Sequence, residues 1–321
     1  MPKCGGKNSM QRNEIKGVKA YNDVYYRSCY YIQILSAMSG IGADQNDYLL
    51  SYCCLPQENF SFLEIDFCCF SKFRNSREYE IDKTNITLKK LLKAIDNQKP
   101  VLISVDCYYL ESRLETYKQY HAPHYILVYG YDIVKREVKV IDHDHRNSWK
   151  YYEKIISLDN LLLANKMFKK MFAKELKTDR IIYKKEIKQK KVTPWDFLKI
   201  DVIKESYNHS RENLISFKNL LVNRSENLVK NVRLYMDYFS KLKAQYMTFL
   251  NTNCILNNLK EEILQLISCY NYFQSLLWKI EFQQNLRSLE KYSSSILDKL
   301  MKVMTIEEIL HKHILEVRNV L

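Results

Sequence analysis

The pattern of hydrophobic and polar positions divides the chain into a mixed first part and a helical second part. Through about residue 185, short apolar runs rich in β-branched and aromatic residues alternate with segments of helical periodicity. From Trp195 onward the chain has neither glycine nor proline, and apolar residues recur at helical spacing. The patterns predict an α+β domain followed by three or four long helices that form a bundle or a helical hairpin.

The same patterns predict the individual elements of the first part. Thr87 precedes an amphipathic segment and predicts a helix start, whereas Gly40 predicts the end of the helix that begins at Cys29. A polar turn at 133–137 between two apolar runs predicts an antiparallel hairpin. The predicted helices cover residues 29–39, 45–54, 88–96 and 158–172, and the predicted strands cover residues 62–70, 101–106, 124–132, 136–142, 151–157 and 180–186.

Changes in composition predict the domain boundaries. Residues 1–14 are basic and polar with no apolar segment behind them, which predicts a mobile N-terminal arm and not a secretory signal. The charged segment 185–194 ends in Pro194 and predicts a linker. We therefore expect an arm over 1–14, the α+β domain over 15–190 and the α-helical domain over 191–321.

Composition and charge narrow the function classes. The nine cysteines include two adjacent pairs, so we expect reduced thiols and a cytoplasmic protein instead of a disulfide framework. No run approaches the roughly 18 uncharged apolar residues of a membrane-spanning helix, so we expect no membrane span. The net charge of +13 lies mostly after Lys150 and suits an acidic partner. We expect no nucleic-acid partner, because no phosphate loop, zinc-finger spacing or RNA-binding motif is present.

Three residues at the ends of predicted elements form the main candidate site. Cys29 begins a helix, His124 opens a strand, and Asp142 closes the next strand. A helix N-terminus stabilises a thiolate, an imidazole can take the thiol proton, and a carboxylate can orient that imidazole. The trio therefore predicts nucleophilic catalysis by a thiolate. Cys107 is the weaker alternative, because it follows a buried strand and no helix start activates it.

Neighbouring polar and aromatic residues are candidates to complete this site. Backbone N–H groups at the start of the cysteine helix could bind an oxyanion together with a nearby amide or hydroxyl group. Acidic and tyrosine side chains in the segment that leads toward the histidine could shape a substrate pocket. The candidates for an oxyanion site or substrate pocket are Asn22, Ser28, Asp106, Tyr108 and Tyr109.

A second constellation of histidines and carboxylates overlaps the first. These residue types can ligate zinc or iron. Pro123 prevents a helical pairing of the two histidines on either side of it, and alternation along a strand sends neighbours to opposite faces. We therefore expect no metal. The alternative to metal ligation is that His143 and His145 are exposed loop residues. The residues concerned are His121, His124, Asp142, His143, Asp144 and His145.

Three blocks of the sequence resemble papain-like proteins of the C39-peptidase-like group. They are similar to the BtrH-type branch of that group, which acts in antibiotic biosynthesis, and the resemblance covers about residues 15–185. Peptidases of the group often have a glutamine shortly before the cysteine, and this chain has none there. Their usual Asp-Pro is Asp142-His143 here, so Asp144 is an alternative orienting acid. The blocks are SCYYIQILSAMSG (28–40), KPVLISVDCYYL (99–110) and HAPHYILVYGYDIVKREVKVIDHD (121–144).

The resemblance implies a papain-like fold, in which the cysteine helix packs on an antiparallel sheet. It also implies Cys29 as nucleophile, His124 as base and Asp142 as orienting acid in an acyltransferase that forms amides. The acyl donor is then an acidic acyl or peptidyl carrier protein, and the acceptor is a small-molecule amine. No cofactor of the chain's own is needed, because the carrier bears the phosphopantetheine.

The sequence is also compatible with two other functions and with one kind of assembly. A cysteine peptidase or thioester hydrolase would use the same Cys-His-Asp triad with water as acceptor. A non-enzymatic module would use the helices to bind an acidic partner. The amphipathic helices also provide a surface for a homodimer.

Overall fold

The computed structural model of the chain describes residues 11–23, 29–45, 78–143, 150–172, 178–185, 200–223, 225–251, 257–283 and 293–320. Two units divide these residues: those from 11 to 44 and from 78 to 185 form the first, and those from 200 onward belong to the second. An antiparallel sheet with helices makes up the first unit and helices make up the second, so the predicted α+β fold followed by a helical region is confirmed. The predicted boundary at 190–191 lies outside the described residues.

One antiparallel sheet organises the first unit. Its strand order is β2-β7-β3-β4-β5-β6, and β1 pairs with β4 beside this path. A short 3-10 helix, Cys107–Tyr109, follows β3. The strands are β1 (Arg12–Glu14), β2 (Tyr79–Thr84), β3 (Val101–Asp106), β4 (Pro123–Asp132), β5 (Glu137–His143), β6 (Tyr151–Ser157) and β7 (Asp179–Lys184), and the helices are α1 (Cys29–Ile41), α2 (Leu88–Asp96) and α3 (Leu158–Met171).

The hairpin of β4 and β5 is confirmed, and it carries two of the candidate site residues. Pairing starts at Asp132 opposite Glu137 beside the turn and runs to Leu127 opposite Ile141, with an irregularity near Gly130. Most inner positions of the two strands are buried, and many of them hold β-branched or aromatic residues, which have a high strand propensity. The hairpin therefore fixes one edge of the site.

Helix α1 packs against β4 and differs from its prediction at its C-terminus. The prediction that Gly40 ends the helix is wrong, because α1 continues to Ile41. The chain turns instead at Gly42, which has a φ of 62°, a conformation that glycine adopts without a Cβ penalty. Gly40 has a packing role, since a Cβ there would lie 2.2 Å from Cγ2 of Val18.

The structure confirms the predicted cap at Thr87 and contains two strands that were not predicted. Thr87 caps α2 as expected, because its side chain accepts a hydrogen bond from the N–H of Lys90. Strand β1 lies within the segment 1–14 that was expected to be an arm, and β2 was not predicted. The predicted strand 62–70 lies outside the described residues, as does the predicted helix 45–54 beyond Gln45.

The second unit contains four long helices among its described residues, as the apolar spacing predicted. They are α4 (Ile200–Val222), α5 (Glu226–Asn251), α6 (Lys260–Gln283) and α7 (Ser293–Val320). Aromatic residues such as Phe217, Phe239 and Phe273 form the centre of its core. The aromatic stripes of the sequence are thus packing surfaces of helices.

Among the described residues, no helix has the length and apolar character that crossing a bilayer requires.

Candidate functional site

The structure brings the side chains of Cys29, His124 and Asp142 together at one end of the sheet. Cys29 is the first residue of α1 and is half-buried. His124 lies near the start of β4, and its Nε2 atom is 2.7 Å from Oδ1 of the fully buried Asp142 on β5. The Cys29 thiol is hydrogen-bonded to the His124 side chain. The catalytic role of the trio stays a prediction, but its members occupy the positions that this role requires.

The contact with Asp142 determines which nitrogen of His124 is available to the thiol. An ionised carboxylate only accepts hydrogen bonds, so Nε2 of His124 carries a proton, and this N–H donates a hydrogen bond to Asp142. The remaining ring nitrogen, Nδ1, is then the atom that can take a proton from Cys29. The arrangement matches the division of roles that a thiolate nucleophile needs.

Arg113 is a member of the site that the sequence did not predict. Its Nη1 donates to Oδ1 of Asp142 at 2.9 Å and lies 3.1 Å from Nε2 of His124. Since Nη1 and Nε2 both present protons to one oxygen, they share an acceptor and do not bond to each other. A second ion pair joins Nη2 to Glu115 at 3.2 Å. The segment around Arg113 has the mixed charge of an exposed loop, so no local pattern pointed to it.

Asp142 is held in its ionised form. Burial alone would raise the pKa of its carboxyl group, but the hydrogen bond with His124 and the charges of His124, Arg113 and Lys154 hold that pKa well below its ordinary value. The N–H of His143 also donates to Oδ1 at 2.7 Å, and Nζ of Lys154 lies 3.6 Å from Oδ2. Asp142 is therefore an ionised acceptor for the imidazole, and its role as the orienting acid stays a prediction.

The environment of Cys29 favours a thiolate. Burial acts to raise the pKa of the thiol, but the charge of His124 and hydrogen bonds with His124 and with the backbone of Tyr125 lower it below its ordinary value. The pKa of His124 is raised, because the opposing effects of burial and of Arg113 are outweighed by the Cys29 charge and the hydrogen bonds to Asp142 and Cys29. Both shifts favour a thiolate–imidazolium pair.

Cys107, the alternative nucleophile, has the opposite environment. It is buried, and burial is the first cause that raises the pKa of its thiol to about 12. A thiol with that pKa remains protonated near neutral pH and is a poor nucleophile. The preference for Cys29 over Cys107 thus has a physical basis in the structure.

The predicted pocket residues Asp106, Tyr108 and Tyr109 lie in the segment between β3 and β4. The buried carboxylate of Asp106 accepts hydrogen bonds from the backbone of Tyr108 at 3.1 Å and of Ala122 at 3.3 Å, and contacts Nδ1 of His121 at 2.6 Å. His121 stacks on Tyr108 with ring centroids 4.4 Å apart. Asp106 thus closes the loop from which Arg113 reaches the site. A role for these residues in binding substrate stays a prediction.

Asn22, one of the two oxyanion candidates, already makes two hydrogen bonds through its side chain. Both amide atoms of Asn22 are hydrogen-bonded to the backbone of Tyr151, with Oδ1 accepting at 2.8 Å and Nδ2 donating at 3.0 Å. An oxyanion contact by Asn22 would therefore need the second proton of Nδ2. Ser28 lies outside the described residues. The predicted oxyanion role of both residues remains a prediction.

The histidine-rich constellation is not assembled as a metal site in the part of the chain that the structure describes. No three His, Cys, Asp or Glu side chains there are grouped so that they could hold a metal ion. His143 is a half-buried residue of β5, so the alternative that it is an exposed loop residue is wrong. Burial, and then the charges of His124 and Arg113, lower the pKa of His143 to about 3. Asp144 and His145 lie outside the described residues.

Part of the chain is similar to a known protein family. Residues 72–143 match a protein-family model described as Butirosin biosynthesis protein H, N-terminal. The matched residues include Arg113, His124 and Asp142, whereas Cys29 precedes them. No curated protein matches the chain at a significant level. The similarity thus covers the segment that ends with β5 and supplies the imidazole and the carboxylate.

Proposed function

We propose that the protein is a cysteine-dependent acyltransferase that forms an amide in natural-product (antibiotic) biosynthesis. An acyl group passes from a carrier-protein thioester through Cys29 to an amine. The observation that carries the proposal is the hydrogen-bonded series from Cys29 through His124 to Asp142, in which the pKa of a half-buried thiol is lowered. The similarity of residues 72–143 to a family named for butirosin biosynthesis supports an acyltransferase role in antibiotic biosynthesis.

In the first step, the Cys29 thiolate attacks the carbonyl carbon of the donor thioester. A new C–S bond to Cys29 forms, and the C–S bond to the carrier breaks. The carrier thiolate takes the proton held by His124 and leaves as a thiol. Because one thioester replaces another, the acylated Cys29 forms with little change in free energy. His124 is left neutral and can act as a base in the next step.

In the second step, an amine attacks the acyl group on Cys29. His124 takes a proton from the attacking nitrogen, and the C–S bond to Cys29 breaks as the C–N bond forms. Asp142 keeps the imidazole oriented and stabilises its charged form throughout. The products are an amide and the regenerated thiolate–imidazolium pair. The reaction runs downhill, because an amide is more stable than a thioester.

The proposed partners follow from the chemistry and the charge. The donor is an acidic acyl or peptidyl carrier protein whose phosphopantetheine presents the thioester, and the acceptor is a small-molecule amine. The net charge of +13 favours the encounter with an acidic carrier by electrostatic steering. We propose that the reaction resembles that of CtaG, the amide-forming enzyme of closthioamide biosynthesis, and that it takes place in the cytoplasm.

The proposal is tested by comparing two cysteine variants in one assay. Acyl-carrier thioesters and candidate amines are mixed with the wild-type protein, Cys29→Ala or Cys107→Ala, and the amide is measured by mass spectrometry. Cys29→Ala is expected to lose at least about a thousandfold in rate, because no covalent intermediate can form. Cys107→Ala is expected to retain activity, because the Cys107 thiol is buried and protonated. Full activity of Cys29→Ala contradicts the mechanism.

The same assay separates amide formation from hydrolysis. Wild-type protein that releases free acid at the same rate with and without an amine is a thioester hydrolase or peptidase-like enzyme. Amine-dependent disappearance of the acylated protein, with one amide formed for each thioester consumed, supports the acyltransferase. The two reactions use the same Cys29, His124 and Asp142 and differ only in whether an amine or water accepts the acyl group.

A further inference from the structure

Gln33 is a fully buried polar residue on the helix that begins at Cys29. It lies four residues after Cys29, so the two side chains project from the same face of α1, one turn apart. Its neighbours Ile32 and Ile34 are buried and apolar. An amide in such a position needs hydrogen-bond partners, because burying an unpaired polar group is unfavourable.

The amide nitrogen of Gln33 joins the two strands that supply the imidazole and the carboxylate. Nε2 donates to the carbonyl oxygen of Tyr125 at 3.2 Å and to that of Ile141 at 3.0 Å. Tyr125 follows His124 directly in β4, and Ile141 directly precedes Asp142 in β5. One side chain of the cysteine helix therefore contacts the backbone beside both of the other members of the site.

The contact with Tyr125 replaces pairing between strands. The ladder between β4 and β5 reaches Leu127 opposite Ile141, and Tyr125 lies beyond this point. Its carbonyl accepts from Gln33, and its backbone is also hydrogen-bonded to the Cys29 thiol. The N–H and C=O of one strand residue point to the same side of the strand. Cys29 and Gln33 thus occupy the side of Tyr125 on which β5 would pair if the β4–β5 ladder continued.

The orientation of the Gln33 amide is fixed by these two carbonyls. A carbonyl oxygen only accepts, so the nitrogen and not the oxygen of the amide must face Tyr125 and Ile141. The amide oxygen, Oε1, is buried and has no hydrogen-bond partner among the described residues. The Gln33 side chain keeps this orientation although its own oxygen is left unpaired. The orientation therefore serves the two contacts with the strands, which a hydrophobic residue could not make.

We propose that Gln33 is a positioning residue that holds the Cys29 end of α1 in register with His124 and Asp142 and thereby maintains the thiolate–imidazolium pair. The inference rests on the proposed role of Cys29 as nucleophile. Gln33 acts through the backbone of Tyr125 and Ile141 and does not touch the reacting atoms. The titratable and charged side chains around the pair include Tyr125 on β4, Asp142 and His143 on β5, Lys154 on β6, and Cys107 and Arg113 in the segment after β3.

The test measures how the reactivity of Cys29 depends on pH in Gln33→Met. Methionine has a similar volume but cannot donate to the two carbonyls. The rate of Cys29 alkylation by iodoacetamide is followed by peptide mass spectrometry, which separates Cys29 from the other cysteines. At about pH 6 we expect a loss of at least about tenfold, and at about pH 10, where the thiol is ionised in both proteins, rates within about twofold.

Ser36→Ala is the matched control on the same helix. Ser36 is also fully buried, and its hydroxyl accepts from the N–H of Tyr21 at 3.0 Å and donates to the carbonyl of Ile32 at 2.9 Å. None of these contacts involves β4 or β5. Loss of buried hydrogen bonds in α1 by itself should therefore leave the alkylation profile of Cys29 at its wild-type position.

The outcomes separate this inference from the proposed function. A folded Gln33→Met with the wild-type profile overturns the positioning role. A second variant, Gln33→Leu, also lacks a hydrogen-bond donor for the two carbonyls, and it is expected to lose reactivity at about pH 6 in the same way. If wild-type Cys29 reacts no faster at pH 6 than it does in the denatured protein, the nucleophile proposal itself fails, whatever the variants show.

Discussion

At the residue scale, the unusual feature of the site is that Asp142 serves several donors at once. His124, Arg113 and the backbone of His143 all donate to Oδ1, and Lys154 lies near Oδ2. A permanent guanidinium charge beside the imidazole opposes its protonation, whereas the carboxylate and the thiolate favour it. The balance among these charges sets the pH range over which the thiolate–imidazolium pair exists.

Replacing Arg113 with methionine is expected to move the upper limit of that range. Arg113 acts to lower the pKa of His124, so the imidazolium of Arg113→Met should persist to a higher pH. Because the ion pair is lost when His124 releases its proton, the descending limb of the rate–pH profile should shift upward by about one pH unit. The measurement is the initial rate of acyl transfer across that limb.

Arg136→Met is the control for the loss of an arginine. Arg136 pairs with Asp159 on the surface, where an ion pair contributes little, so this variant should leave the limb in place. A limb that stays fixed or moves to lower pH in a folded Arg113→Met contradicts the assigned effect of the guanidinium.

The sequence indicated some of these residues and not others, for physical reasons. Cys29, His124 and Asp142 stand at the ends of regular elements, so local patterns indicated them before the structure brought their side chains together. Arg113 reaches the site from a charged loop, and its role depends on a fold that no local pattern encodes. Gln33 does leave a weak signal, since it is a lone amide in the apolar segment YYIQILSAM.

At the element scale, α1 both carries Cys29 and anchors the segment that precedes it. The N–H groups of Lys19 and Tyr21 donate to the hydroxyls of Ser39 and Ser36, each at 3.0 Å. Val18 packs closely on Gly40 near the C-terminus of the helix. The end of α1 opposite Cys29 is therefore fixed by two hydrogen bonds to serine hydroxyls and by a close contact that requires glycine at position 40.

Gly40→Ala is expected to lower the stability of the first unit. Alanine normally favours a helix over glycine by about 1 kcal/mol, but here its Cβ would lie 2.2 Å from the stiff, buried side chain of Val18. We expect the overlap to prevail, with a net loss of about 1–2 kcal/mol in the free energy of unfolding, measured by urea denaturation.

Gly42→Asn is the matched control for the Gly40 substitution. Gly42 has a φ of 62° and open space around it, and asparagine tolerates this conformation, so the loss should be smaller. Equal or greater stability of Gly40→Ala relative to the wild type contradicts the assigned close packing.

Element prediction succeeded where a short stretch of sequence carries the information. The cap at Thr87, the buried β3 and the β4–β5 hairpin all follow from local residue types. Strand order does not, because β7 inserts between β2 and β3 through contacts between residues distant in the chain. Strand β1 is three polar residues long, too short to show an alternation, and it is recognised only by its pairing with β4.

At the scale of the whole molecule, the two units have separate cores with different buried charges. The first unit buries Arg113, His124 and Asp142 at the candidate site and Asp179 on β7, where it pairs with Lys169. The helical unit buries Glu307, which accepts hydrogen bonds from the hydroxyls of Tyr270 and Ser210. Burial raises the pKa of Glu307 to about 7 and outweighs these hydrogen bonds. Helical periodicity predicted this bundle, but it could not predict an acid in its core.

Glu307→Gln is expected to stabilise the helical unit increasingly as the pH rises from about 5 toward about 7. Because the pKa of Glu307 is higher in the folded state, its contribution is retained in acid and lost as pH rises toward about 7. Glutamine resembles the protonated acid, so the variant should match the wild type near about pH 5 and exceed it by about 2–3 kcal/mol near about pH 8. Guanidinium unfolding followed by helical circular dichroism measures both values.

The neighbouring Glu308→Gln is the control for the buried position. Glu308 is exposed and pairs with Lys312 one turn later, so its substitution should change little at either pH. A pH-independent effect of Glu307→Gln contradicts the raised pKa of the buried acid.

The measurement that tests the central claim most directly is the mass of the Cys29 peptide after brief mixing with an acyl-carrier thioester and acid quenching. We expect the peptide to gain the mass of the acyl group, the gain to disappear when an amine acceptor is added, and the wild-type loading to persist in Cys107→Ala. An acyl group found on another residue, or amide formed by a protein whose Cys29 never becomes acylated, contradicts the account.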